Sequence, residues 1–238
     1  MVSILLPCVQ ELRHGYLPRI LHNLTTQTGN WEIVAAVSPS TDGTAELLAT
    51  YPQVRVLPGL ARNRAQRLNA ALAASTGEYV LLHHPATLLP EKTAIAEIER
   101  LLANYVWGAF RHRFDLEHGL LAFTSWYANE IRFRRGIVYF DHGVFVRRVA
   151  LVQVGGVPDL DIFEDTALSD RLRRLGPPAQ SPLTVITSAR RFRQRGIYRQ
   201  ALLNQALKLC YHLRVDPLVL NRWYEQSFPI NVQYEDAP

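Results

Sequence analysis

Lysine is almost missing from this 238-residue chain: Lys92 and Lys208 are the only two among 26 basic residues. The positive charge, a formal +5 with a pI near 9.4, is therefore carried by arginine, whose planar group suits fixed bidentate contacts with phosphate. Cysteine is equally scarce. Cys8 and Cys210 lie far apart with no CxxC spacing, which excludes a disulfide-stapled scaffold and a thiolate zinc site and points to a reducing, cytoplasmic setting. No uncharged run approaches the roughly 20 apolar residues of a membrane span. The opening "MVSILLPCVQE" has no basic residues ahead of its short apolar run, so it reads as a first strand and not as a targeting segment. Internal repeats and low-complexity linkers are absent as well.

What is present is a chain with 48% hydrophobic and 20% charged residues, enough for one sizeable core and too little for two generous domains. We expect a single domain over 1–238. "VSILLP", "WEIVAAV" and "QVRVL" read as strands. Leu12, Ile20, Leu21 and Leu24 suit a helix after the first, "STDGTAELLATY" begins a helix with capping chemistry, and 60–75, from Leu60 onward, has helical spacing. "GEYVLLHHPATLLP", Gly77 to Pro90, is a strand running into an open loop and then a helix. This alternation implies an α/β fold: a mainly parallel sheet with helices on both faces, whose ligands bind beyond the carboxyl ends of the strands. From Trp107 the pattern loosens. We divide the domain into a first half over 1–106, a second half over 107–217 and a C-terminal tail over 218–238, irregular from Glu225 onward.

Six stretches in order, "ILLPCVQE", "SPSTDGTAELL", "NRAQRLNAALAASTGEYVLLHHPATLLP", "FDHGVFVRRVALVQVGGVP", "IFEDTALSDRLRRLG" and "TSARRFRQRGIYRQALL", resemble the family 2 glycosyltransferases. They are most similar to a short bacterial branch known as radical-SAM/selenodomain-associated glycosyltransferases. The likeness runs from Met1 to about Pro217. It implies a GT-A (Rossmann-like) fold, a nucleotide-diphosphate sugar donor handled by the first half, an acceptor handled by the second, a magnesium or manganese ion on the diphosphate, and inversion at the anomeric carbon by a carboxylate base. The resemblance makes Asp165 that base, with Glu164 orienting it. It places Pro7, Glu11, Val37, Arg64, Arg67, Asn69, His84, Arg190 and Arg191 on the donor side and Asp141 and His142 on the acceptor side.

The chain departs from the family where the donor is held. Val37 stands where an acid usually ends the second strand, and Ala86 stands where a His-Ala-Asp-Thr sequence supplies the metal-binding aspartate. Alanine offers a hard cation no oxygen, while fixed guanidinium groups can stabilise a leaving diphosphate in a dry site. Arg67 is gained in the helix that should start beside the phosphates, although helical geometry also allows it a solvent face. The expectation is therefore no protein metal site, and donor binding only weakly strengthened by magnesium or manganese. Asp42 and Asp141 are the acids to test if that fails.

Each motif also has a plainer reading. Ser40 to Thr44 is turn and capping chemistry first, and Glu164-Asp165 suits an ordinary helix start. His83 and His84 are adjacent on a strand and face opposite ways, so one packs in the core and His84 faces the donor. The stretch 188–213 is a core-packed helix with a basic start; its alternative is contact with anionic lipid bearing a lipid-linked acceptor. Nucleic acid is not expected, because no motif or aromatic platform accompanies the arginines. A sugar, nucleotide or protein binding module that has lost catalysis is the alternative to a transferase.

Overall fold

The computed structural model describes residues 1–59 and 61–225; Leu60 and residues 226–238, which hold most of the expected tail, lie outside the described residues. Eight strands form one sheet among the described residues: β1 (Val2–Cys8), β2 (Trp31–Val37), β3 (Val54–Pro58), β4 (Tyr79–Leu82), β5 (Thr87–Leu88), β6 (Trp107–Phe114), β7 (Val144–Arg147) and β8 (Ala179–Thr187). Their order is β3-β2-β1-β4-β7-β6-β8-β5. The first four are parallel, as the alternating pattern requires. The later half is mixed: β7 runs antiparallel to both β4 and β6, and β5 antiparallel to β8, so both halves share one sheet.

The helices cover both faces. α1 (Leu17–Thr25) buries Leu17, Ile20, Leu21 and Leu24, the i, i+3, i+4, i+7 stripe of a core-facing helix. With α4 (Ala94–Leu102) it packs on Ile4 and Leu6 of β1. Leu12, expected in the same helix, lies instead in a 3₁₀ turn, Leu12–His14, ended by Gly15 at φ +67°, a conformation glycine adopts without strain. On the opposite face Leu5 meets Leu68 of α3 (Arg64–Ala74), Leu151 of α6 (Arg148–Gln153) and Leu168 of α7 (Glu164–Leu172). α2 (Thr44–Ala49) follows the Ser40–Thr44 turn. Thr44 Oγ1 accepts the Glu11 N–H at 2.9 Å and donates to Asp42 Oδ1 at 2.6 Å, so this turn pins the loop after β1.

β1 sits where the chain's direction across the sheet reverses. Its pairing with β2 continues to Cys8 and Val37, while its pairing with β4 stops at Leu5 and Leu82. The sheet therefore opens beyond Leu5, which is where ligands enter open α/β sheets. α5 (Gly119–Tyr127) runs into a π-helical turn, Ala128–Arg132, and α8 (Arg190–Arg195), α9 (Ile197–His212) and α10 (Pro217–Glu225) close the second half. α10 occupies the first residues of the tail set at 218. The Asp216 carboxylate accepts the Leu218 N–H at 2.8 Å, Pro217 suits a first helical position, and Leu220 and Asn221 are buried. No helix among the described residues is long and apolar enough to cross a membrane.

Candidate active site

A cleft of about 240 Å³ gathers Arg64, His84, Asp141, Asp165, Arg190 and Arg191 on its walls. They arrive from five separate segments, Arg190 and Arg191 together from α8. Arg64 is the first residue of α3, whose N-cap Asn63 accepts the Gln66 N–H at 2.9 Å. Asn63 also donates to Asp159 at 2.7 Å and Asp161 at 3.0 Å, which ties the loop before α7 to the start of α3. Arg132, from the π-helical turn, and Lys208, from α9, complete a set of five basic side chains facing three carboxylates, Asp141, Asp161 and Asp165.

Glu164 and Asp165 begin α7 and divide their work. Glu164 is buried behind the wall and binds Arg64 Nε at 2.5 Å. Asp165 lines the cleft itself, with Oδ2 3.8 Å from Arg64 Nη2 and Oδ1 accepting the Thr166 N–H at 2.7 Å. Burial, then the neighbouring Glu164 charge, push the Asp165 carboxyl up to about 6. Phe163, just before the pair, holds φ +65° and stacks on Tyr211 with ring centroids 4.5 Å apart. A bulky residue in that region stores roughly 1–3 kcal/mol of strain and persists only when its surroundings impose it.

Asp141 sits among imidazoles. His112 Nε2 is 3.6 Å and His142 Nε2 4.0 Å from its carboxylate. Burial raises this acid and neighbouring positive charge lowers it, the net shift being downward; with the His142 ring neutral, Arg132 is the cation that remains to hold it down. His142 itself is buried and off the cleft wall. Its Nδ1 faces the Phe110 carbonyl at 3.2 Å and its Nε2 the Arg132 guanidinium at 2.8 Å, a pattern that requires the neutral ring protonated on Nδ1. Burial, followed by Arg64 and Arg190, likewise lowers His84 well below the usual histidine range. His83 points to the other face and is buried there, pushed down to about 3 by desolvation.

Several donor-side expectations are corrected. Val37 is buried in the core and does not line the cleft. Pro7 is a buried strand residue opposite Ala36. Glu11, also buried, pairs with Arg190 at 3.4 Å, so it holds a cleft arginine from behind. Arg67 takes neither the solvent face nor the cleft: 2% exposed, it donates to Ser38 Oγ at 3.0 Å, and burial lowers it to about 10. Asn69 clasps a distant turn, donating to the Val157 carbonyl at 2.8 Å and accepting the Val157 N–H at 2.9 Å. It does not line the cleft.

Ala86 lines a second cavity of about 250 Å³, which meets the cleft at Ser188. Among the described residues no group of three or more His, Cys, Asp or Glu side chains is placed to hold a metal ion. The best-placed trio, Asp141 with His112 and His142, is a poor fit because the His142 Nε2 lone pair faces Arg132. A hard divalent cation on these residues would also find one carboxylate where it prefers several oxygens. The sequence reading missed His112, Arg132 and Lys208. Only the alternation of "RHRF" along β6, which puts His112 opposite its arginine neighbours, signalled any of them.

The sequence profile described as glycosyl transferase family 2 matches residues 3–144, a span that ends before Glu164 and Asp165. No protein of curated function matches the chain. Among solved structures, S. aureus TarS 1-349 is 16% identical with a TM-score of 0.59, over 79% of this chain and 58% of that one. The same protein in complex with UDP-GlcNAc is 15% identical with a TM-score of 0.61, over 79% and 56%. The mannosyltransferase PcManGT from Pyrobaculum calidifontis, in complex with GDP-Man and Mn2+, is 22% identical with a TM-score of 0.62, over 78% and 56%. The chain thus spans a little more than half the length of each of these structures, and the likeness is one of fold.

Proposed function

We propose, from the premise that the chain belongs to glycosyl transferase family 2, that it moves a sugar from a nucleotide-diphosphate donor to an acceptor hydroxyl with inversion, using Asp165 as the base. The observation that carries this reading is the Asp165 carboxyl on the cleft wall, raised to about 6 and so poised to take a proton near neutral pH. Asp165 removes the acceptor hydroxyl proton as that oxygen attacks C1 of the sugar, and the nucleoside diphosphate leaves from the opposite side. Glu164 fixes Arg64, which in turn orients Asp165. Arg190 and Arg191 receive the diphosphate. Arg191 Nη1 has no hydrogen bond to any described residue, and the Arg190–Glu11 contact is long at 3.4 Å, so both retain donors for phosphate oxygens. Asp141 and the ring of His112 face the acceptor.

The transfer is metal-independent in this proposal, the arginines standing where a cation would neutralise charge. Solved relatives bind UDP-GlcNAc or GDP-Man, which makes uridine and guanosine diphosphate sugars the donors to try first. The paucity of cysteine supports a cytoplasmic setting. The test is calorimetric titration of nucleoside diphosphates and their sugars, with manganese and with chelator. We expect binding that manganese strengthens only weakly. Binding abolished by chelator and restored by manganese would refute metal independence. The replacement of the metal-site acid by Ala86 favours a second reading, a binding module without catalysis. A protein that binds these donors yet neither transfers nor hydrolyses them over a broad acceptor panel would establish that reading.

A further inference from the structure

Helix α9 is apolar on both sides. Ile197, Ala201 and Leu207 face inward, where Ile197 and Ala201 pack with Leu121 of α5 and Phe192 of α8. Tyr198, Leu202, Leu209 and Leu213 face outward and are 61–73% exposed. At 3.6 residues per turn these four fall within an arc of roughly 60°, so they make one stripe along the helix and not a scatter. α5 is built alike: Leu121 is buried while Phe123 and Trp126 are 58% and 51% exposed. The two outer faces meet where the rings of His118 and Tyr198 approach to 5.7 Å, and α10 adds exposed Trp223 beside α9. Exposed large apolar side chains in this number, on helices that adjoin through these contacts, mark something that covers them.

Charge decides what covers it. Within α5, α9 and α10 the only acidic residue is Glu225, and it is buried, whereas Arg199 and Arg222 are exposed; in the loops that flank these helices Arg214 is exposed, as are Glu117 and Asp216. A second copy pressed face to face would set the helical arginines against their own counterparts, with the exposed acids Glu117 and Asp216 only at the ends of the helices. An anionic lipid surface satisfies both features: apolar side chains enter the acyl boundary, Trp126, Trp223 and Tyr198 sit at headgroup level, and the arginines reach the phosphates. The 16 residues of α9 suit a helix lying in the interface plane. The same three helices turn Thr124, Asn204 and Tyr224 into the cleft, so a bilayer held against their outer faces adjoins the cleft.

We infer that α5, α9 and α10 form a docking face for an anionic lipid bilayer, which presents a lipid-carried acceptor to the cleft. Docking stands without the transferase reading; the lipid-carried acceptor rests on it. The experiment is flotation of the full chain with phosphatidylglycerol-containing vesicles and with phosphatidylcholine vesicles, alongside the paired variants Leu202→Glu with Leu209→Glu and Phe123→Ser with Trp126→Ser. Binding to the anionic vesicles should exceed binding to neutral ones by about tenfold and weaken as salt is raised. Each variant pair should lose about tenfold in vesicle binding while keeping its melting temperature and its affinity for nucleoside diphosphate. No flotation of the full chain, or flotation undiminished in both variant pairs, would overturn the inference. So would a dimer in sedimentation that Leu202→Glu with Leu209→Glu dissociates, or vesicle binding seen only when the chain is cut after Glu225. Loss of vesicle binding with donor binding intact separates this failure from failure of the transferase reading.

Discussion

At Asp165 burial and the charge of Glu164 raise the carboxyl to about 6, and at Lys208 burial, then Arg132, lowers the ammonium to about 8. The base must be ionised, and Lys208 keeps its positive charge near Asp141 and Asp165 only below about 8, so kcat/KM should rise through pH 6 and fall through pH 8. Lys208→Met should remove the alkaline limb alone; a pH–rate profile measured for both proteins checks this. The stability consequence has a definite sign. An acid whose folded value lies above its unfolded one favours the folded state while protonated and loses that contribution as pH rises through the folded value. Asp165→Asn should therefore raise stability at pH 7 by on the order of 1–3 kcal/mol, with little gain at pH 4. Urea unfolding at the two pH values reads the difference. Removing Glu164 takes the nearest carboxylate from Arg64 in a site where the pair is mostly buried, so Glu164→Ala should destabilise by about 3–5 kcal/mol.

Among the elements, the start of α7 depends on contacts far off in sequence. Asn69 of α3 holds both polar groups of Val157, and Asn63 and Arg62 hold Asp159 and Asp161, so the stretch 157–161 that leads into Asp165 is fixed against α3 and the residues just before it. Gly156 has φ +71°, and a Cβ there would lie 2.7 Å from Asn69 Oδ1. Gly156→Ala should cost about 1–3 kcal/mol through backbone strain, and Asn69→Ala about as much by leaving Val157 unsatisfied. Thermal melts of both variants test this, and Asn69→Ala should leave the affinity for nucleoside diphosphate unchanged, as a residue away from the donor requires. These clasps explain what the sequence conceals. Period and capping reveal β1 to β4, α1 and α3, because each is set by its own residues; the same signals put Arg64 inside a helix expected from Leu60, where the structure starts α3 at Arg64 itself, and His84 on a strand that ends at Leu82, and both line the cleft. Spacing tells which face of α3 carries Asn69 but not that Val157, 88 residues later, waits there. Nor could it tell that Arg67 is spent on Ser38. Val37 keeps the strand-end position of an acid, yet its apolar side chain turns into the core. α10 lacked any period strong enough to separate it from the tail.

For the whole molecule, one mixed sheet joins a parallel half, where alternation is easily read, to a half in which β7 is inserted between β4 and β6, a pairing no local pattern announces. The result places five basic side chains around one poised carboxylate. The central claim is that this arrangement performs base-catalysed transfer from a nucleotide sugar without a metal. The most direct measurement is release of nucleoside diphosphate from UDP and GDP sugars, with water as acceptor, by the native protein and by Asp165→Asn side by side in chelator. The account predicts turnover by the native protein that manganese changes little, and turnover reduced roughly 10²- to 10⁴-fold in the variant with donor affinity nearly unchanged. Native protein that is inert in chelator and active only with manganese, or a variant that turns over as fast as the native protein, would contradict it.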